Sequence, residues 1–377
     1  MSVKLTNFVK LKINHHMQIV SIGDYSTAAL IHYYSAAATA NDRTITAIPD
    51  YTGETAYLEG IRDYIAAFFN NGGKRLHIVT LNTLTNINTT LDGLPMEQVV
   101  VGFVNDASND PMATEAQFNA IASAWNTAKE DEKIYQKIFV AELPFGAGLA
   151  DFNDYGTAEN KTVSIENYVI KYGAQGIGAS VLAYFSAIDV FASGAAQDYG
   201  FTTENYSEAS GANYVFNDND IIEKVISLDM NADTRLVGRV RNVGGNDTAG
   251  YDLTNQFMLL VLHQVVTNAV LQAIVSKIKY NDSGLAIIKN AIVNQLKRFV
   301  SNGYLTTNKV WEDADLSYEG YKIINNNTVL NQGYSITILP FESLTAEERA
   351  AHQLPKIFIL IADSYSIRKV VIDGEVF

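Results

Sequence analysis

Between residues 58 and 141 helical and extended periodicities take turns, and that alternation restricts the possible folds more than any other feature of the sequence. Leu58, Ile61, Tyr64, Ile65 and Phe68 recur at three- and four-residue steps, the spacing of one buried helix face. The run stops at Asn70-Asn71-Gly72-Gly73, where glycine can take the left-handed backbone that closes a helix. A strand from Lys74 to Leu81 follows at once. The pattern repeats as strand Gln98 to Val104, helix from Asp110-Pro111 through Phe118, Ile121 and Trp125, and strand Ile134 to Ala141. A helix near Ile165 to Lys171 and an apolar strand from Ile177 to Phe185 continue it. Such alternation predicts an α/β layer with a largely parallel sheet.

Residues 193–219 are rich in Gly, Ser, Asn and Tyr and read as a long surface loop, with a domain boundary near residue 230. Beyond it come an extended run Leu236 to Val243, a Gly244-Gly245-Asn246-Asp247 turn, and two helices, about Leu253 to Lys279 and Gly284 to Asn302. Strands return at Tyr334 to Leu339 and Lys356 to Ala362, separated by a short acidic helix, Thr345 to His352.

Both ends of the chain are written as strands. Val3, Leu5, Val9, Leu11 and Ile13 share one side while Lys4, Thr6, Lys10 and Lys12 share the other, the period of a half-buried strand. At the far end Ile367, Val370, Ile372 and Val376 mark a second one. Strands that begin and end a chain must find a neighbouring sheet.

Composition narrows the function classes. With 377 residues, 47% of them hydrophobic, the chain can bury two or three cores. Its net charge of −14 disfavours direct nucleic-acid binding, which needs a basic face. No cysteine is present, so disulfides and thiolate sites are excluded and folding in a reducing compartment is expected. The N-terminus lacks the apolar core of a signal peptide. The run Phe257 to Ile278, broken by His263, Gln264, Asn268, Gln272 and Lys277, reads as too polar to span a membrane.

Catalytic motifs do not assemble. Gly73-Lys74 is followed by Arg75 and lacks the upstream glycine of a phosphate-binding loop. Gly173, Gly176 and Gly178 miss the dinucleotide spacing and read as a turn entering a strand. The six histidines have no metal-ligand spacing, and Ser180 in GIGASVL lacks the second glycine of a nucleophile elbow. Glu130-Asp131-Glu132 and Asp218-Asn219-Asp220 suit solvated or capping roles. No catalytic residue, metal or cofactor is therefore assigned.

Charge is distributed unevenly. From Leu253 to Trp311 six cations stand against the single acid Asp282, a local charge of +5 that leaves −19 for the rest. On the second helix Leu285, Ile288, Ile292, Leu296 and Phe299 stack on one side, with Lys297 off its edge and Arg298 nearly opposite. Such a helix is either a solvated surface element or a contact for an acidic protein partner.

Two stretches carry a resemblance. FFNNGGKRLHIV, Phe68 to Val79, is similar to an aromatic helix end, Asn-Gly-Gly and strand of contractile tail sheath proteins of phages and phage-like injection systems. EERAAHQLPKIFILIADSYSIRKVVIDGEVF, Glu347 to Phe377, resembles sheath C-termini, in which an arginine-bearing helix, a proline-led apolar strand and a final strand follow in order. The basic helix pair also sits where sheath proteins carry their tube-facing helices.

The resemblance implies a non-enzymatic structural subunit that polymerises as helical stacked hexameric rings around a tail tube and contracts to drive the tube through a host envelope. It implies an N-terminal strand arm at 1–20, an outer α/β domain at 21–230, an inner helix-and-sheet domain at 231–355 and a C-terminal strand arm at 356–377, with the inner sheet completed by strand exchange between subunits. Lys289, Lys297 and Arg298 are the expected tube contacts. The implied partners are copies of the chain, a tail tube protein, and baseplate and tail terminator proteins, without direct nucleic-acid contact or membrane insertion. The implied location is the virion tail, assembled in the host bacterial cytoplasm. Two alternatives stand beside it. One is a soluble α/β enzyme with a pocket near Asn105-Asp106 or Glu142; the other is a receptor-binding tail accessory protein, suggested by 21 tyrosines.

Overall fold

A computed structural model of the chain describes residues 25–34, 41–83, 87–95, 97–105, 123, 125, 137–144, 156–157, 160–161, 167–173, 176–194, 199–200, 215–216, 219–236, 239–276, 278–312 and 314–364. Two compact units are formed, Asp24–Asp189 with Gln197–Phe257, and Val190–Ala196 with Met258–Tyr365. The boundary expected near residue 230 lies inside the first of them.

The first unit is built on a six-stranded sheet. Its strands are β1 (Thr27–Tyr33), β2 (Asn41–Ile45), β3 (Arg75–Leu81), β4 (Val100–Asn105), β5 (Ile138–Pro144) and β8 (Tyr168–Gly173), in the order β2-β3-β1-β4-β5-β8. Every pairing is parallel except β2 with β3. The mostly parallel α/β layer read from the alternation is therefore present, with one antiparallel edge. Central strands are buried on both faces, and in β1 residues 28–32 are buried without alternation, the polar His32 included.

Helix α1 (Arg62–Asn70) leads into β3 through the glycine pair. Gly72 adopts φ 89°, and Gly73 donates its N–H to Phe68 O at 3.0 Å, closing the helix as glycine permits. The helix lies flush on the sheet because β4 carries Gly102 there: a Cβ at that position would sit 2.4 Å from the buried Tyr64 Oη. On the other side of the sheet, Trp125, Phe139 and Tyr168 stack at 5.2 and 5.6 Å, each pair adding about 0.5–1.5 kcal/mol beyond simple burial.

Three local expectations are corrected. The helix expected near Ile165 to Lys171 is strand β8, paired with β5 from Phe139↔Tyr168 onward. The expected strand Ile177 to Phe185 is instead helix α3 (Ala179–Ala187), buried nearly all round. Gly176 and Gly178 thus lead out of a strand and into a helix, the reverse of the expected order. Both errors share a cause: a short segment buried on every side carries no periodicity to separate helix from strand. Finally, the run Leu236 to Val243 contains the last residue of β10 (Ala232–Leu236) and all of β11 (Arg239–Val243), two strands that pair antiparallel. Strand β9 (Val215–Phe216), within the expected loop, joins β10 in parallel. Short strands β6 (Gly156–Thr157) and β7 (Asn160–Lys161), with helices α2 (Ile87–Gly93) and α4 (Asn219–Ser227), complete this unit. Of the helix expected from Asp110, only Ser123 and Trp125 are described, both helical.

Helix α5 (Leu253–Val275) starts where the Asp252 carboxylate accepts from Asn255 N at 2.8 Å. By length and composition it is apolar enough to cross a membrane, contrary to the reading of that run as too polar. In the protein 56% of its most apolar stretch is buried, and so are Gln264 and Thr267, the setting of a core helix.

The second unit pairs helix α6 (Asp282–Ser301) with three two-stranded ladders: β12 (Lys309–Val310) with β15 (Val329–Leu330), β13 (Leu316–Tyr318) with β14 (Tyr321–Ile324), and β16 (Tyr334–Ile338) with β17 (Ile357–Ile361). Their core gathers Trp311, Ile323, Leu330, Leu339 and Leu360. The short acidic helix is α7 (Ala346–Ala350), begun by a capping box between Thr345 and Glu348.

Candidate assembly surface and a buried charge cluster

Helix α6 has the face its sequence predicts. Ile288, Ile292, Leu296 and Phe299 are buried and Leu285 is half-buried. The Asn281 side chain caps the start by accepting from Gly284 N at 3.1 Å, and Arg298 in the last turn complements the negative end of the helix dipole. At the far end the Asn302 amide donates to Val190 O at 2.7 Å and its carbonyl oxygen accepts from Tyr304 N at 2.9 Å.

The three cations chosen from the sequence do not share one environment. Lys289 and Lys297 are exposed, and so is Ile287 of the same helix, at 50%. Arg298, expected on the solvent side, instead lies flat on Phe191, its guanidinium carbon 3.7 Å from the ring centre. Its Nη1 also donates to Gln295 Oε1 at 3.2 Å. Nine residues of helix turn through about 900°, so Lys289 and Arg298 stand on opposite sides of α6.

The predicted arm residues Val3, Leu5, Val9, Leu11, Ile13, Ile367, Val370, Ile372 and Val376 lie outside the described residues. What is described is the place from which the C-terminal segment leaves. Strand β17, assigned from the sequence to that arm, pairs with β16 of its own chain from Tyr334↔Ile361 to Ile338↔Ile357. The chain is then pinned: Thr306 N donates to Ala362 O at 2.7 Å and Ser364 N to Tyr304 O at 2.8 Å. Asp363, buried, receives Lys309 Nζ at 3.2 Å. Among the described residues β16 and β17 pair only with each other, which leaves an edge of backbone donors and acceptors on each.

A second cluster, missed in the sequence, sits in the first unit. Lys171 of β8 is fully buried; its Nζ lies 2.9 Å from Asp233 Oδ1 and donates to Ser180 Oγ at 2.6 Å and to Tyr199 Oη at 3.0 Å. Glu142 of β5, which the enzyme alternative placed at a pocket, is buried and accepts from Gly178 N at 2.8 Å and Gly176 N at 2.9 Å. Burial pushes its carboxyl up to about 8, against the opposing pull of those amides and of Lys171. Asn105 ends β4, and Asp106 lies outside the described residues. The signal for this centre was a lysine inside the otherwise apolar YVIKYG; its partner, far away in sequence, left none.

Known proteins give the arrangement a context. Residues 254–376 match the family model described as E217 tail sheath protein gp31-like, C-terminal domain. No protein of curated function matches the sequence. Among solved structures, the chain is similar to one in the cryo-EM helical sheath of the anti-feeding prophage in its contracted state, with 14% identity, a TM-score of 0.60, and 97% of this chain and 98% of that one covered. A chain of the six-fold symmetrised baseplate of the same particle matches with 13% identity and a TM-score of 0.60, covering 100% and 99%. A chain of its contracted baseplate matches with 11% identity and a TM-score of 0.57, covering 100% and 98%. The latter three likenesses are of fold. Residues 254–376 thus match a tail sheath C-terminal domain, and the chain as a whole has the fold of the sheath and baseplate chains of that particle.

Proposed function

We propose that this chain polymerises with copies of itself as helical stacked rings around a tail tube, and that the polymer shortens to drive the tube through a host envelope. The observation that carries the reading is the two-stranded β16–β17 sheet, whose strands pair only with each other among the described residues, close to Ser364. Strands of neighbouring subunits, drawn from 1–20 and from the residues after 364, complete that sheet through backbone hydrogen bonds. The 231–355 region forms the inner mesh and 21–230 the outer domain. The exposed Lys289 and Lys297 face an acidic tube surface, while Arg298 braces the helix against Phe191. Baseplate and terminator proteins close the two ends of the polymer in a virion tail built in the host cytoplasm, and no step needs catalysis.

Deletion of Ser366 to Phe377 tests the strand exchange. The truncated chain is expected to stay folded by circular dichroism and to remain unassembled in sedimentation. Assembly equal to that of the full chain would overturn the proposal.

A further inference from the structure

Two carboxyl groups and an amine stand in a row across three neighbouring strands of the first unit. Glu142 on β5 is the register partner of Lys171 on β8. At its other edge β8 meets β10 through the Lys171↔Asn231 bridge, where Tyr172 N donates to Asn231 O at 2.8 Å. Two residues further along β10, Asp233 Oδ1 lies 2.9 Å from Lys171 Nζ, and both side chains are fully buried.

Chemistry favours joining these two groups. As ions they have both lost their hydration, and their mutual attraction offsets that loss only in part. An amide between them is neutral and removes both buried charges. The fold has also paired the reacting groups in advance, which for well-oriented groups is worth an effective concentration of about 10⁵–10⁸ M. The remaining contacts aim the amine. Lys171 Nζ donates to Ser180 Oγ at 2.6 Å and to Tyr199 Oη at 3.0 Å, and Ser180 spends its own hydrogen on Ile177 O at 2.9 Å. With two of the three ammonium hydrogens held there, the third points to Asp233. Passing that proton to the carboxylate leaves the nitrogen lone pair directed at the same carboxyl group.

We propose that Lys171 and Asp233 condense into an intramolecular isopeptide bond that ties β8 to β10. The neutral amine attacks Asp233 Cγ, forming the N–C bond of a tetrahedral adduct. A proton then passes from the nitrogen to a hydroxyl of the adduct, relayed by the carboxyl group of Glu142 on the adjacent strand. The C–O bond breaks, one water leaves and the amide remains. The two side chains supply every atom of the product, and no oxidant, cofactor or other protein is consumed.

Intact mass spectrometry of the purified full-length chain, followed by protease digestion, tests this. Folded wild type is expected to be lighter than its sequence mass by one water, with Lys171 and Asp233 recovered in one branched peptide and no tryptic cleavage after Lys171. Lys171→Arg, which keeps the cation and loses the amine nucleophile, is expected at its full sequence mass. Wild type at full sequence mass after prolonged incubation in the folded state, or a lost water that maps to a peptide without both residues, overturns the bond. The wild-type spectrum alone decides if the variant does not fold.

Discussion

Lys171 Nζ lies 2.9 Å from Asp233 Oδ1, and neither side chain reaches water. Removing one partner leaves a lone buried charge, whereas removing both leaves neither charge of the pair. Asp233→Ala is expected to cost about 3–5 kcal/mol in urea denaturation, and Lys171→Met combined with Asp233→Leu clearly less than either single change. Equal or additive losses would show that the two charges are not coupled.

Lys137 gives the fold a pH response. Its Nζ donates to Pro95 O at 2.7 Å and Gln98 O at 3.1 Å, and burial lowers it to about 7, with Glu97 pulling the other way. A base depressed from 10.5 contributes stability that is present above about 10.5 and lost as pH falls through about 7. Wild type is expected to gain stability relative to Lys137→Met between pH 7 and 10, read as the difference between their urea midpoints across that range.

Surface and structural cations of α6 are separable. Arg298→Ala uncovers Phe191 and is expected to cost about 0.5–2 kcal/mol, a loss that Arg298→Lys reduces. Lys289→Glu and Lys297→Glu, at exposed positions, are expected to change stability by less than about 0.5 kcal/mol. Their effect belongs to tube co-sedimentation, where both together are expected to abolish binding to the cognate tube protein.

Legibility followed physical signal. The α1 face, the Gly72 closure and β3 were readable because amphipathic period and left-handed glycine are local properties. The buried face of α6 was readable for the same reason. Segments buried on every side, β8 and α3, were exchanged because apolarity without period names no element. The lysine inside the apolar YVIKYG carries a local signal and Asp233 carries none, since a buried pair is made by the fold that brings it together. The resemblance at Glu347 to Phe377 falls almost wholly within residues 254–376, which match the tail sheath C-terminal domain, while the pairing of β17 with β16 inside the chain emerged only in three dimensions.

Electron microscopy of the purified full-length chain in negative stain tests the central claim most directly. A polymerising sheath subunit is expected to form open-ended tubes whose length grows with protein concentration. A discrete closed oligomer or a monomer at every concentration, with or without added tube protein, would contradict it.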